Sequence, residues 1–213
     1  MATILDILAG MMVGGMLILM AGRAMDNAMQ RFVNNNADAM VQDELASTTE
    51  VIQNDLWKMG YGIPEANQTT IIQIAQPNQL KYLTYFNNND GIPDTIEYTL
   101  SVMDTTDFID TVIVLFSLNR SAKDSQGSTT SGMIGTISNT NIFRYFDQIG
   151  NPAGILLAIK MVEVTLVAKN PHIYLSDEVI LAASPQERMT ELRKLIAESY
   201  WRQTRVISKN LRR

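Results

Sequence analysis

The 213 residues (23.8 kDa) are 46% hydrophobic and 18% charged, which supports a packed core and excludes a disordered chain. A net charge of -5 argues against a nucleic-acid binder that works through overall positive charge. With no cysteine and a single histidine, His172, the chain has no disulfide framework, thiolate metal site, cysteine nucleophile or paired-imidazole site. The expectation is a protein that is not an enzyme and takes no cofactor.

The first 22 residues contain one charge, Asp6, and the first cation is Arg23. Between them Ile7–Gly22 is an uncharged, mostly apolar run, ILAGMMVGGMLILMAG. As a helix it spans about 24 Å, and about 33 Å counted from Met1, close to the roughly 30 Å core of a bilayer. A cleaved secretory signal would need a basic start and an A-x-A-like site, and the sequence offers neither. Gly10, Gly14, Gly15 and Gly22 interrupt the run, and Gly10 with Gly14 forms G-x-x-x-G, where bare backbone admits a second helix. A lipid-facing anchor needs neither these glycines nor an acid.

The helical period continues through Met25, Met29, Phe32, Val33, Met40, Val41, Leu45, Thr48, Ile52, Leu56 and Met59. Asn34-Asn35-Asn36 is the one interruption, so the pattern fits a single helix or two helices that meet there. Gly60, Gly62 and Pro64 then end it. The period changes to two, and strands are expected at 69–75, 79–86, 94–103, 110–118, 141–146, 159–168 and 200–207. Short connections favour an antiparallel meander. The stretch 125–132, rich in serine and threonine, reads as a surface loop, and Ser184-Pro185 opens a short helix through Met189, Leu192, Leu195 and Ile196.

Other candidate sites are few. NNNDGIPD (87–94) offers oxygen ligands at Asn88, Asp90 and Asp94, a weak calcium candidate. In an EF-hand register, however, the first ligand position would fall on Phe86, so a hairpin turn is the better reading and no metal site is expected. Asp104, Asp107 and Asp110 read as a solvated turn, and His172 as structural or exposed. Residues 1–186 carry 9 basic and 19 acidic side chains, whereas 187–213 carry 8 and 3. The cationic cluster Arg202, Arg205, Lys209, Arg212 and Arg213 suits an acidic neighbouring subunit. The thirteen methionines serve as adaptable packing.

Several segments together resemble one family. Without Met1 the chain begins Ala2-Thr3-Ile4-Leu5-Asp6, similar to the start of mature type IV pilins and type II secretion pseudopilins, with Asp6 in the place of their fifth-position glutamate. Asp55-Leu56-Trp57-Lys58-Met59-Gly60-Tyr61-Gly62-Ile63-Pro64 resembles the element that ends the long helix of large minor pilins. Phe143-Arg144-Tyr145-Phe146-Asp147-Gln148-Ile149-Gly150-Asn151-Pro152 is similar to their F-x-Y-Y-D-x-x-G-N-P turn, and Arg205–Leu211 to their C-terminal ending. Two features depart from the family pattern. No short basic leader ending in glycine precedes the apolar run, and the usual helix-kinking proline is absent, with Gly22-Arg23 nearby instead.

The resemblance implies an α+β, pilin-like fold. Its long N-terminal helix occupies 1–60, with 1–22 in the membrane or filament core, and an antiparallel sheet domain occupies 61–213. The implied function is a structural filament subunit that assembles through Ala2, Asp6, Gly10, Gly14, Gly15 and Gly22. Its partners would be copies of itself or other pilin-like subunits, with no nucleic acid. It would reside in the bacterial inner membrane first and then in an extracellular filament or at the cell surface. The alternative is a single-pass anchored extracytoplasmic binding module that never polymerises.

Overall fold

A computed structural model describes residues 2–64, 71–85, 92–108, 111–169, 184, 186–187 and 199–211. The fold is α+β, one long helix followed by antiparallel sheets. Helix α1 is Ala2–Trp57. Strands β1 (Ile72–Gln76), β2 (Gln79–Thr84), β3 (Asp94–Phe108), β4 (Thr111–Lys123) and β5 (Thr129–Ile137) form a five-stranded meander in sequence order. Strands β6 (Phe143–Phe146), β7 (Met161–Ala168) and β8 (Tyr200–Ile207) form a second, three-stranded sheet. The chain divides into two compact units, Met1–Met40 and Val41–Arg213.

α1 runs unbroken through Asn34–Asn36. Three asparagines cost a helix interior only about 2 kcal/mol in all, which strong helix formers on either side can offset. At the far end Gly60 and Gly62 adopt positive φ, 71° and 75°, and turn the chain into the sheet. A side chain at Gly60 would also press on Ile71, with a Cβ 2.9 Å from its Cδ1.

Two expectations about the sheet are corrected. Thr129–Gly132 is strand and not loop, for β5 pairs with β4 from Thr129↔Lys123 to Ile137↔Phe116, and Asn119–Lys123 belong to β4. The first half of β5 is exposed, so its solvent face is Ser and Thr, a composition that resembles a loop. Only the turn Asp124–Ser128 remains, held by the Ser128 amide donating to Asp124 Oδ1 at 2.7 Å. Likewise Asp104 and Asp107 lie within β3, opposite Leu115 and Val112, and not in a turn. Pairing with a β-branched partner strand overrides the low strand propensity of aspartate.

The core of the second unit forms where one stripe of α1 meets both sheets. Leu45, Ile52, Leu56 and Met59 are buried against Tyr82, Ile96, Tyr98, Leu118 and Ile137 of the meander and Phe143, Val162, Val164, Leu166 and Val206 of the smaller sheet. One charge sits in this stripe. Asp55 is buried, and its Oδ2 accepts from the Tyr98 hydroxyl and from Arg120 Nε, each at 2.5 Å. Register brings the donors together, since Tyr98 faces Arg120 across β3 and β4. Burial, followed by the Asp55 charge and hydrogen bond, pushes the Tyr98 hydroxyl well above its ordinary range, so it remains a donor. The hydrogen bond to Asp55 likewise raises the Arg120 guanidinium.

Removing one partner of a buried pair leaves the other uncompensated, at roughly 3–5 kcal/mol. Asp55→Ala is therefore expected to destabilise the Val41–Arg213 unit by about that amount, whereas Tyr98→Phe costs about 1–3 kcal/mol. Urea unfolding of the two variants measures both values, and equal, small losses would contradict the ion-pair account.

Candidate functional site

The first unit is one run of helix with its apolar side chains in the open. Every large apolar side chain from Ile7 to Met20 is at least 58% exposed. Each forgoes roughly 1.5–3 kcal/mol by remaining in water. Together they outweigh the roughly 5–15 kcal/mol that stabilises a typical domain. The most apolar 18-residue window has a mean hydropathy of 1.8 with none of it buried, which makes this helix long and apolar enough to cross a membrane. Beyond the run, a stripe of Met25, Met29, Phe32 and Met40 is also 60–76% exposed.

The glycines open this surface further. A Cβ built on Gly10, Gly14, Gly15 or Gly22 would meet nothing within 4 Å. Gly10 and Gly14 are one turn apart on α1, and Gly15 and Gly22 are two turns apart, so each pair shares a face where backbone can approach backbone. Ala2 begins α1 and Asp6 follows one turn later. The six residues expected to mediate assembly therefore lie on one continuous helix.

The other segments singled out by sequence take definite places. Asp55–Pro64 ends α1, and the segment Arg205–Leu211 closes on it. Ser208 Oγ donates to the Met59 carbonyl at 2.8 Å and Asn210 Nδ2 to the same oxygen at 3.2 Å. These two side chains satisfy a carbonyl that the end of the helix leaves open. Phe143–Pro152 is β6 and a tight turn in which Asp147 Oδ1 accepts from the amides of Ile149, Gly150 and Asn151 at 2.8–2.9 Å. Those backbone donors, Asn151 foremost, hold the Asp147 carboxyl below the usual range, and Gly150 supplies the positive φ of 97°.

Among the weaker candidates, Asn88, Asp90, Asp110, His172 and the short helix through Met189–Ile196 lie outside the described residues. Asp94 is buried at the start of β3, where its Oδ1 accepts from the Ser125 amide at 3.0 Å. Among the described residues no group of three or more His, Asp or Glu could hold a metal ion.

From the cationic cluster, Arg205 is engaged within its own chain. Its Nη2 and Nε donate to Glu163 Oε2 at 2.5 and 3.1 Å, and Arg144 reaches Glu163 Oε1 at 3.4 Å. Arg212 and Arg213 lie outside the described residues. The inner partners Tyr98, Arg120 and Glu163 had no signal in the sequence. Asp55 had one, an acid on the apolar stripe between Ile52 and Met59.

No family model, curated protein or solved structure matches the chain. The order of elements, one long apolar helix and then antiparallel sheet, is compatible with a pilin-like shape.

Glu163 gives a pH test of this packing. Burial works against its charge, but hydrogen bonds from Arg205 and Gln203 and the charges of Arg205 and Arg144 outweigh burial and lower its pKa below the ordinary 4.5. The unfolded chain therefore takes up this proton first as pH falls. The stabilisation is complete above that ordinary value and disappears as pH drops through the lower folded one. Glu163→Gln should lower Tm at pH 7, and its deficit should narrow as pH falls below the ordinary 4.5. A deficit that stays constant as pH falls would contradict the pairing.

Proposed function

We propose that this protein is a structural subunit of a type IV pilus-like or pseudopilus filament, assembled through its apolar N-terminal helix. Before assembly the helix resides in the bacterial inner membrane, and after assembly it lines the filament core with the sheet unit outside. The reading rests most on a single observation. A helix apolar enough for a bilayer also carries open glycines at Gly10, Gly14, Gly15 and Gly22 together with the acid Asp6. Lipid alone has no use for these, whereas helices of neighbouring copies do.

A carboxylate in an apolar span costs roughly 2.5–3.5 kcal/mol on insertion scales, so Asp6 calls for a cation. Within its own helix the first is Arg23, seventeen residues and about 25 Å away. As the resemblance to pilins implies, the N-terminal amine of an adjacent copy, on Ala2 once the chain ahead of it is removed, takes that place. Burial of both groups makes the pair a register device more than a source of stability.

Asp6→Ala should leave the sheet unit folded and the protein in the membrane while filaments become fewer or misordered. Asp6→Glu should retain most of them. Counting filaments by negative stain on cells expressing each variant checks this, and normal number and length in Asp6→Ala would move the reading to a simple membrane-anchored module.

A further inference from the structure

The outer face of the three-stranded sheet carries a row of charge. Arg144, Glu163 and Arg205 stand opposite one another on β6, β7 and β8. Glu163 is only 3% exposed although it is on the outer side, because the two guanidiniums lie over it. Both guanidiniums also stack on the Phe146 ring, Arg144 at 5.6 Å and Arg205 at 4.7 Å from its centroid. Their side chains nonetheless remain 65% and 50% exposed. A guanidinium has five N–H donors; Arg205 gives two to Glu163 and Arg144 gives one, which leaves most of them outward. Among the described residues of this row, one carboxylate against two arginines leaves a net positive charge whose heads are already oriented, so little side-chain freedom is lost when they meet an anion.

The residue before Arg205 on β8 faces the other way. Thr204 Oγ1 accepts from Gln53 of α1, which places the helix behind this sheet and the arginine row in front. The helix bears the opposite charge. From Phe32 to Trp57 it contains Asp38, Asp43, Glu44, Glu50 and Asp55 and no Lys or Arg. Asp55 is neutralised internally by Arg120. Asp43 and Glu50 are exposed and seven residues apart, within about 20° of one line along the helix, with exposed Ser47 between them.

We propose that the Arg144–Arg205 face of one copy docks on the Asp43–Glu50 face of α1 in the next copy. The proposal rests on the filament reading and adds to it the contact between sheet units. The two faces lie on opposite sides of one copy and cannot meet within it. The contact is therefore head-to-tail and repeats from copy to copy, the type that builds an open helical assembly.

The absence of cysteine allows a direct test, because each introduced thiol is unique in its chain. Full-length Ser47→Cys and Gln203→Cys chains are co-expressed in membranes and treated with a short bis-maleimide. The expected product is a mixed dimer, well above that from the pair Thr130→Cys and Gln203→Cys, whose β5 position lies off the proposed contact. Adding Asp43→Lys and Glu50→Lys to the Ser47→Cys chain should cut the yield at least about tenfold, the effect of roughly 1.4 kcal/mol. Arg144→Gln in the Gln203→Cys chain, which removes one exposed charge without setting a second carboxylate beside Glu163, should likewise lower the yield of the unreversed pair. A yield no higher than the Thr130→Cys control, or one indifferent to charge reversal, overturns the proposal. Met25→Cys chains, cross-linked in parallel, separate the two readings. A Met25 product without the 47–203 product refutes this contact alone, whereas loss of both refutes assembly itself.

Discussion

An apolar surface that one chain cannot cover is the constraint from which the rest follows. From Ile7 to Met20 the helix offers large side chains in every direction, and among the described residues none of them is buried. Burying them is worth more than the folding stability of an ordinary domain. Such a surface suits a bilayer or neighbouring helices better than water. The glycine pairs and Asp6 bear on that choice, because open backbone and a carboxylate suit the approach of another helix better than lipid.

The second half of α1 obeys the opposite logic. Its apolar stripe is fully used by the sheets, and its solvent side is acidic. Three devices fix it there, each spanning a long sequence interval. Asp55 binds Tyr98 and Arg120, Thr48 Oγ1 donates to the Ile134 carbonyl at 2.8 Å, and Ser208 with Asn210 closes the helix end at Met59. The Thr48 contact also explains Gly135, where any side chain would collide with that threonine. The helix from Val41 onward is thus an integral part of the sheet unit.

Much of this architecture was legible in the sequence. The apolar run, the helical steps to Met59, the stop at Gly60–Pro64 and most strands follow from periodicity and turn chemistry, which are local properties. The failures were also local. Thr129–Gly132 looks like a loop because an exposed edge strand carries the same Ser, Thr and Gly as a loop, and only pairing with β4 distinguishes them. Asp104 and Asp107 suggest a turn until β4 appears opposite them. The ionic contacts were not legible at all. Asp55, Tyr98 and Arg120, like Arg144, Glu163 and Arg205, become neighbours only through strand register. The residues proposed for assembly stand out in the sequence, since a glycine or an acid in an apolar run is conspicuous without any tertiary information.

The central claim is that copies of this helix cover one another in a filament. Its most direct test is to shear cells that express the full chain, pellet the released material, and examine it by negative stain and mass spectrometry. The account predicts thin filaments in the sheared fraction with peptides from the sheet unit, such as those spanning Phe143–Lys160. The chain found wholly in the membrane pellet, with no filament containing it, would contradict the account and leave a membrane-anchored monomer.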